Sequence, residues 1–105
     1  MSTKNLSVKE FKEKIKETPD AVVLDVRTPG EIAEGAIPGH TMINIANPEA
    51  VRQIQELDKE KPYFIYCRSG SRSMSVCNYM AAQGFKEVYN LEGGIIAWNR
   101  ESGQN

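Results

Sequence analysis

Cys67 opens the run Cys67-Arg68-Ser69-Gly70-Ser71-Arg72-Ser73, directly after the apolar stretch Tyr63-Phe64-Ile65-Tyr66 and directly before a helix-patterned segment. That order puts a thiol on a tight loop between a strand and a helix N-terminus. Unpaired backbone N–H groups and the positive end of the helix dipole converge there. With Arg68 and Arg72 close by, a cysteine so placed holds its thiolate at neutral pH and acts as a nucleophile. The same loop can cradle an anion. The expected nucleophile is Cys67, and the expected anion-binding set is Arg68, Ser69, Gly70, Ser71, Arg72 and Ser73. The rival reading is a structural thiol packed as a small hydrophobe. The polar loop, its two arginines and its glycine speak for an enzyme with a covalent cysteine intermediate.

Other residues that could do chemistry are weaker candidates. Cys77 shares a helical face with Met80, Ala81 and Gly84, which suits core packing. A helix starting near Ser71 carries Cys77 roughly 9 Å or more along the axis from the loop. That exceeds the roughly 7 Å beyond which two cysteines cannot be bridged without backbone movement. Asp25 and Arg27 flank a strand end, where turn capping and an ion pair such as Arg27 with Glu31 are expected before catalysis. His40 follows a Pro-Gly turn and is expected at the surface. One histidine without paired-ligand spacing gives no metal site, and the thiol chemistry needs no cofactor.

The elements that must position Cys67 can be read along the chain. Ser7-Val8-Lys9-Glu10 has capping-box spacing, and Val8, Phe11 and Ile15 recur at helical intervals, predicting a helix over residues 7–17. Ala21 to Val26 is a short β-branched run suited to a strand buried on both faces. Thr28-Pro29-Gly30-Glu31 is a second capping box, and Gly35, Pro38 and Gly39 keep its helix short. Met42 to Ile45 predicts a short strand, Asn47-Pro48 a helix reaching about Leu57, and Tyr63 to Tyr66 a strand. The loop from Cys67 leads into a helix from about Ser71 to Gln83, with Gly84 as its cap. Val88 to Leu91 predicts the last strand, and Gly93-Gly94 turns into a helix bearing Ile95, Ile96 and Trp98. Alternation of strand and helix implies an α/β fold, a mostly parallel sheet with helices on both faces. Ligands in such sheets sit at the carboxyl ends of the strands, where Cys67 falls.

Length and composition narrow the class. The chain has 105 residues, 13 basic and 14 acidic, with a formal charge of −1. One domain spanning 1–105 with a single core is expected. No basic run marks a nucleic-acid partner, and no stretch approaches a membrane span. The Lys-rich start lacks the apolar segment of a signal peptide. Two cysteines in such a chain suit a reducing, cytoplasmic setting with free thiols.

The loop resembles the active-site loop of rhodanese-type sulfurtransferases. Its setting is similar to theirs too: Leu24-Asp25-Val26-Arg27-Thr28-Pro29 and Glu34-Gly35-Ala36-Ile37-Pro38-Gly39 upstream, then Gly84-Phe85, Val88 to Gly94 and Ala97-Trp98 downstream. The resemblance runs from about Leu6 to Trp98. It implies a rhodanese fold in which Cys67 accepts a sulfane sulfur as a persulfide and passes it to a thiophilic acceptor. It also implies that the six-residue loop from Cys67 to Arg72 belongs to sulfurtransferases, whereas rhodanese-fold phosphatases carry seven. The expected partners are a small-molecule donor such as thiosulfate and an acceptor such as cyanide or a thiol. A protein sulfur donor or acceptor is the alternative, as in a sulfur-relay module. The chain departs from the family pattern at Ala36 and His40, where the family more often has histidine and alanine, and in two extra residues before Ile43. Gly30 and Ile32 likewise replace commoner acidic and aromatic residues. These departures lie outside the cysteine loop.

Overall fold

A computed structural model describes residues 3–102. Ten elements alternate along the chain: β1 Thr3–Leu6, α1 Val8–Glu17, β2 Val22–Asp25, α2 Pro29–Ile32, β3 Thr41–Met42, α3 Ala50–Gln55, β4 Pro62–Tyr66, α4 Ser71–Ala82, β5 Glu87–Leu91 and α5 Gly94–Glu101. The five strands form one sheet in the order β1-β5-β4-β2-β3, and every pairing is parallel. The expected α/β architecture is observed, and "mostly parallel" sharpens to parallel throughout the described strands.

The sheet separates two apolar layers. Leu24, Ile65, Val88, Val76, Cys77 and Met80 pack on the side of α3 and α4. Phe11, Val23, Phe64, Tyr66, Leu91 and Ile95 pack on the side of α1 and α5. Alternate residues of β4 feed the two layers, as the period-two strand geometry requires, and all five of its residues are buried. Phe11 joins α1 to the sheet and to α5 through edge-on contacts with Phe64 (5.5 Å) and Trp98 (6.5 Å between centroids). Both predicted capping boxes form, Ser7 with Glu10 and Thr28 with Glu31.

Three elements differ from the sequence expectation. β1 was not foreseen, because Thr3-Lys4-Asn5-Leu6 has no apolar run; it exists through its ladder to β5, from Thr3 opposite Val88 to Leu6 opposite Leu91. β3 is shorter than Met42 to Ile45, since Asn44 begins a turn: its side chain accepts the Ala46 N–H at 2.9 Å. α3 begins later than Asn47, whose side chain accepts the Glu49 N–H at 2.8 Å and holds another turn. No helix of the described residues is long and apolar enough to cross a membrane.

Candidate active site

β4 ends at Tyr66 and α4 begins at Ser71, so residues 67–70 form the tight junction that the sequence predicts. Gly70 precedes α4 with φ of +105°, a left-handed conformation that a side chain would strain. This turn aims amides at the sulfur. The Gly70 N–H donates to Cys67 Sγ at 3.1 Å and the Ser73 N–H at 3.4 Å, while Ser73 Oγ lies 3.3 Å away. Carbonyls of the loop point elsewhere. Ile95 N–H donates to Cys67 O at 2.9 Å and Ile96 N–H to Arg68 O at 3.2 Å, so the first turn of α5 draws them out. Gly94 makes that approach feasible. A Cβ there would overlap the Arg68 carbonyl, and its φ is +60°.

Cys67 is 1% exposed. Burial pushes its thiol upward, but hydrogen bonds from the Ser73 side chain and from the Ser73, Gly70 and Ser69 amides outweigh it. The net shift is downward, toward the thiolate. The arrangement can hold a sulfur-borne negative charge among fixed N–H donors in a nearly closed site.

The two loop arginines part company. Arg72 forms a two-point pair with Glu31, Nη1 to Oε1 at 3.0 Å and Nη2 to Oε2 at 2.8 Å. That contact ties the first turn of α4 to α2, and with the Thr28 cap it holds the Glu31 carboxyl down at about 2. Arg68 is exposed and makes no side-chain hydrogen bond or ion pair among the described residues. It lines a cavity of about 320 Å³ together with Arg27, Glu31, Glu34, Ile95 and Asn99. Ser69 on the loop and Ser71 at the start of α4 are exposed, Ser69 contributing its amide to the sulfur.

Arg27 does not pair with the Glu31 carboxylate as suggested by sequence. It grips the buried carboxylate of Asp25 through Nε and Nη2 (2.6 Å), donates to the Gly35 and Glu31 carbonyls, and lies over the Tyr66 ring. This is scaffold around the end of β2. His40 is half-buried, with Nδ1 3.0 Å from the Ile37 carbonyl of its own turn. Cys77 is fully buried and free, and burial raises its thiol to about 12.

Sequence reasoning missed Asn90. It is 2% exposed near the end of β5, and Ser73 Oγ donates to its Oδ1. Its Nδ2 donates to Gly70 O at 3.2 Å and to Asn5 Oδ1 at 2.9 Å. The available signal was a polar amide inside the otherwise apolar Val88-Tyr89-Asn90-Leu91, at the strand end where such sheets bind ligands.

Comparison with known proteins points to one family. A family model described as "Rhodanese-like domain" matches residues 7–101. The chain is 43% identical over 102 residues to YtwF of Bacillus subtilis, covering 97% of this chain and 96% of that protein. It is 37% identical over 98 residues to the thiosulfate sulfurtransferase GlpE of Coxiella burnetii, covering 93% and 89%. The crystal structure of a rhodanese-like domain protein from Staphylococcus aureus superposes with a TM-score of 0.78 at 34% identity, over 90% of each chain.

Proposed function

The chain belongs to the rhodanese-like family, whose chemistry is sulfur transfer through a cysteine, and on that premise we propose that Cys67 is the sulfur carrier and thiosulfate a donor. The observation that carries the reading is the ring of N–H donors on a buried Sγ whose ionisation they favour. The Cys67 thiolate attacks the outer sulfur of the donor. The donor's S–S bond breaks, and sulfite leaves with the bonding pair. The persulfide left on Cys67 bears negative charge on its terminal sulfur, and the loop amides offset that charge. An acceptor, cyanide in an assay or a thiol in the cell, takes that sulfur and restores the thiolate. The loop donors lower the Cys67 thiol, which favours the attacking thiolate without a separate base. Arg68, Ser69, Gly70, Ser71, Arg72 and Ser73 form the binding loop, the 105 residues acting as one domain in the reducing cytoplasm.

The same geometry disfavours phosphoryl transfer. A Cys-x5-Arg cradle needs a guanidinium where Ser73 stands, and Ser73 is against the sulfur instead. Arg72, one position earlier, is occupied by Glu31. The test is mass spectrometry of protein treated with thiosulfate, reading a mass increase of about 32 Da on Cys67 that dithiothreitol removes. Cyanide should then release thiocyanate, with no hydrolysis of p-nitrophenyl phosphate. Absence of the adduct together with Cys67-dependent phosphatase activity overturns the reading.

One observation favours a protein sulfur donor as the second reading. Glu31 neutralises Arg72, and Glu34 joins Glu31 at the cavity, so among the described residues Arg68 alone is an uncommitted cation there to attract a free dianion. Persulfide accepted from a cysteine desulfurase, with thiosulfate inert, would select the relay.

A further inference from the structure

The Ser73 hydroxyl has a single proton and three acceptors within reach: Cys67 Sγ at 3.3 Å, Gly70 O at 3.3 Å and Asn90 Oδ1, the nearest of the three. Donation to one of them is withheld from the others. The orientation of the Asn90 amide decides the contest. Gly70 O can only accept, so it holds the Asn90 NH2 toward itself, and Asn5 Oδ1 takes the second amide proton. Oδ1 is thereby turned toward Ser73. We propose that Asn90 is a positioning residue for sulfur transfer: it competes with Cys67 for the Ser73 proton and so limits how strongly the thiolate is held.

Two states follow from this geometry. With Cys67 as a thiol, Ser73 donates to Asn90 and its oxygen faces the S–H group. When the thiol gives its proton to solvent, the hydroxyl turns to the anionic sulfur, a charged acceptor, and Asn90 Oδ1 loses its donor. Ionisation thus carries a cost set largely by Asn90, the nearest acceptor, which falls if Asn90 can no longer accept. Asn5, on the strand that the sequence did not reveal, steadies the amide from the far side. All three side chains are uncharged. Of the ionisable groups, Arg72 and Cys77 on α4 feel the Cys67 charge, Arg72 also those of Glu31 on α2 and Asp25 on β2, and substitution at Asn90 leaves them in place.

The inference rests on Cys67 as the reactive thiol, and its test does not depend on which donor supplies the sulfur. The measurement is the pH midpoint of Cys67 alkylation by iodoacetamide in the full chain, made in a Cys77→Ala background so that one thiol is read. Asn90→Leu, close in size but unable to accept, should lower the midpoint by about one unit, a tenfold gain in thiolate fraction below it. Asn5→Ala, at an exposed position, should shift it in the same direction by less and keeps the test open if Asn90→Leu does not fold. Ser73→Ala should raise the midpoint. With Ser73→Ala present, neither asparagine substitution should shift it further, which a merely structural role would not produce. A midpoint unchanged or raised by the asparagine substitutions overturns the proposal, as does a downward shift that persists without the Ser73 hydroxyl. Failure of thiosulfate to load Cys67 would instead count against the donor reading alone.

Discussion

Cys67 and Cys77 belong to one apolar layer and are almost equally buried, 1% and 0% exposed, yet their thiols are driven in opposite directions. Burial raises both. At Cys77 it acts with the repulsion of Cys67, and the thiol stands at about 12. Cys77 lies within α4, where the backbone N–H groups are spent on the helix ladder and none is left for the sulfur. Cys67 lies at the entrance to the same helix, where the first amides have no helical partner and turn to Sγ. Access to unpaired donors, and not exposure, separates the thiol whose ionisation is favoured from the one whose ionisation is opposed.

The sharpest break of this comparison is removal of each sulfur. Cys67→Ser should reduce thiosulfate:cyanide sulfur transfer to background with an unchanged circular dichroism spectrum, because an alcohol forms no persulfide. Cys77→Ser should retain most of the activity. Steady-state assays of both proteins check this, and an inactive Cys77→Ser beside an active Cys67→Ser reverses the assignment.

Next in size is a change to the donors themselves. Gly94→Ala should drive the first turn of α5 off the Cys67 and Arg68 carbonyls and force a positive φ on alanine. Strain of that kind costs about 1–3 kcal/mol. The melting temperature should fall, and the Cys67 alkylation midpoint should rise toward that of an ordinary thiol. An unaltered midpoint would show that α5 does not shape the amide ring.

The two cysteines also predict opposite contributions to stability with pH. The Cys67 thiol is lowered in the folded chain, so its contribution is fully present above the unfolded value, about 8.5, and is lost as pH falls through the folded value. Cys77 keeps its proton up to about 12 when folded. As pH climbs from about 8.5 toward that value, the unfolded chain ionises there and gains on the folded one. Cys77→Ala should therefore flatten the alkaline decline of urea stability. Sulfur transfer, by contrast, should rise through the lowered Cys67 value and level off above it.

The smallest effect concerns charge around the loop. Glu31→Gln preserves an oxygen to cap Thr28 but releases Arg72 from its carboxylate partner. The KM for thiosulfate should fall a few-fold, with kcat little changed, because a freed guanidinium binds the anion in ground and transition state alike. A rise in KM would show that the pair itself organises the donor site.

Much of this was legible in residue order. Strand-type and helix-type periods alternate, Ser7/Glu10 and Thr28/Glu31 announce helix starts, and Cys67 to Ser73 stands between an apolar run and a helix. Those signals are local, and local hydrogen bonding enforces them. The proposal of Cys67 as nucleophile and the packing of Cys77 follow from the same local logic, since position relative to a helix end governs which amides are free.

What the chain order does not carry is any contact made across it. β1 has no apolar signature and exists because the edge of β5 offers it a ladder. Arg68 and Arg72 read alike, yet only the fold brings Glu31 on α2 against Arg72 and leaves Arg68 open to the cavity. Asn90 reads as an irregularity in a strand, but the parallel order β1-β5-β4 sets it between Asn5 and the cysteine loop. Gly94 reads as a turn, while its lack of a Cβ lets α5 draw the loop carbonyls away from the sulfur. Sequence by itself determined which residue types and helix starts could make a nucleophile, because those depend on neighbours along the chain. The tertiary structure alone decided which side chains surround it and which proton it must compete for, because those depend on which strands pair.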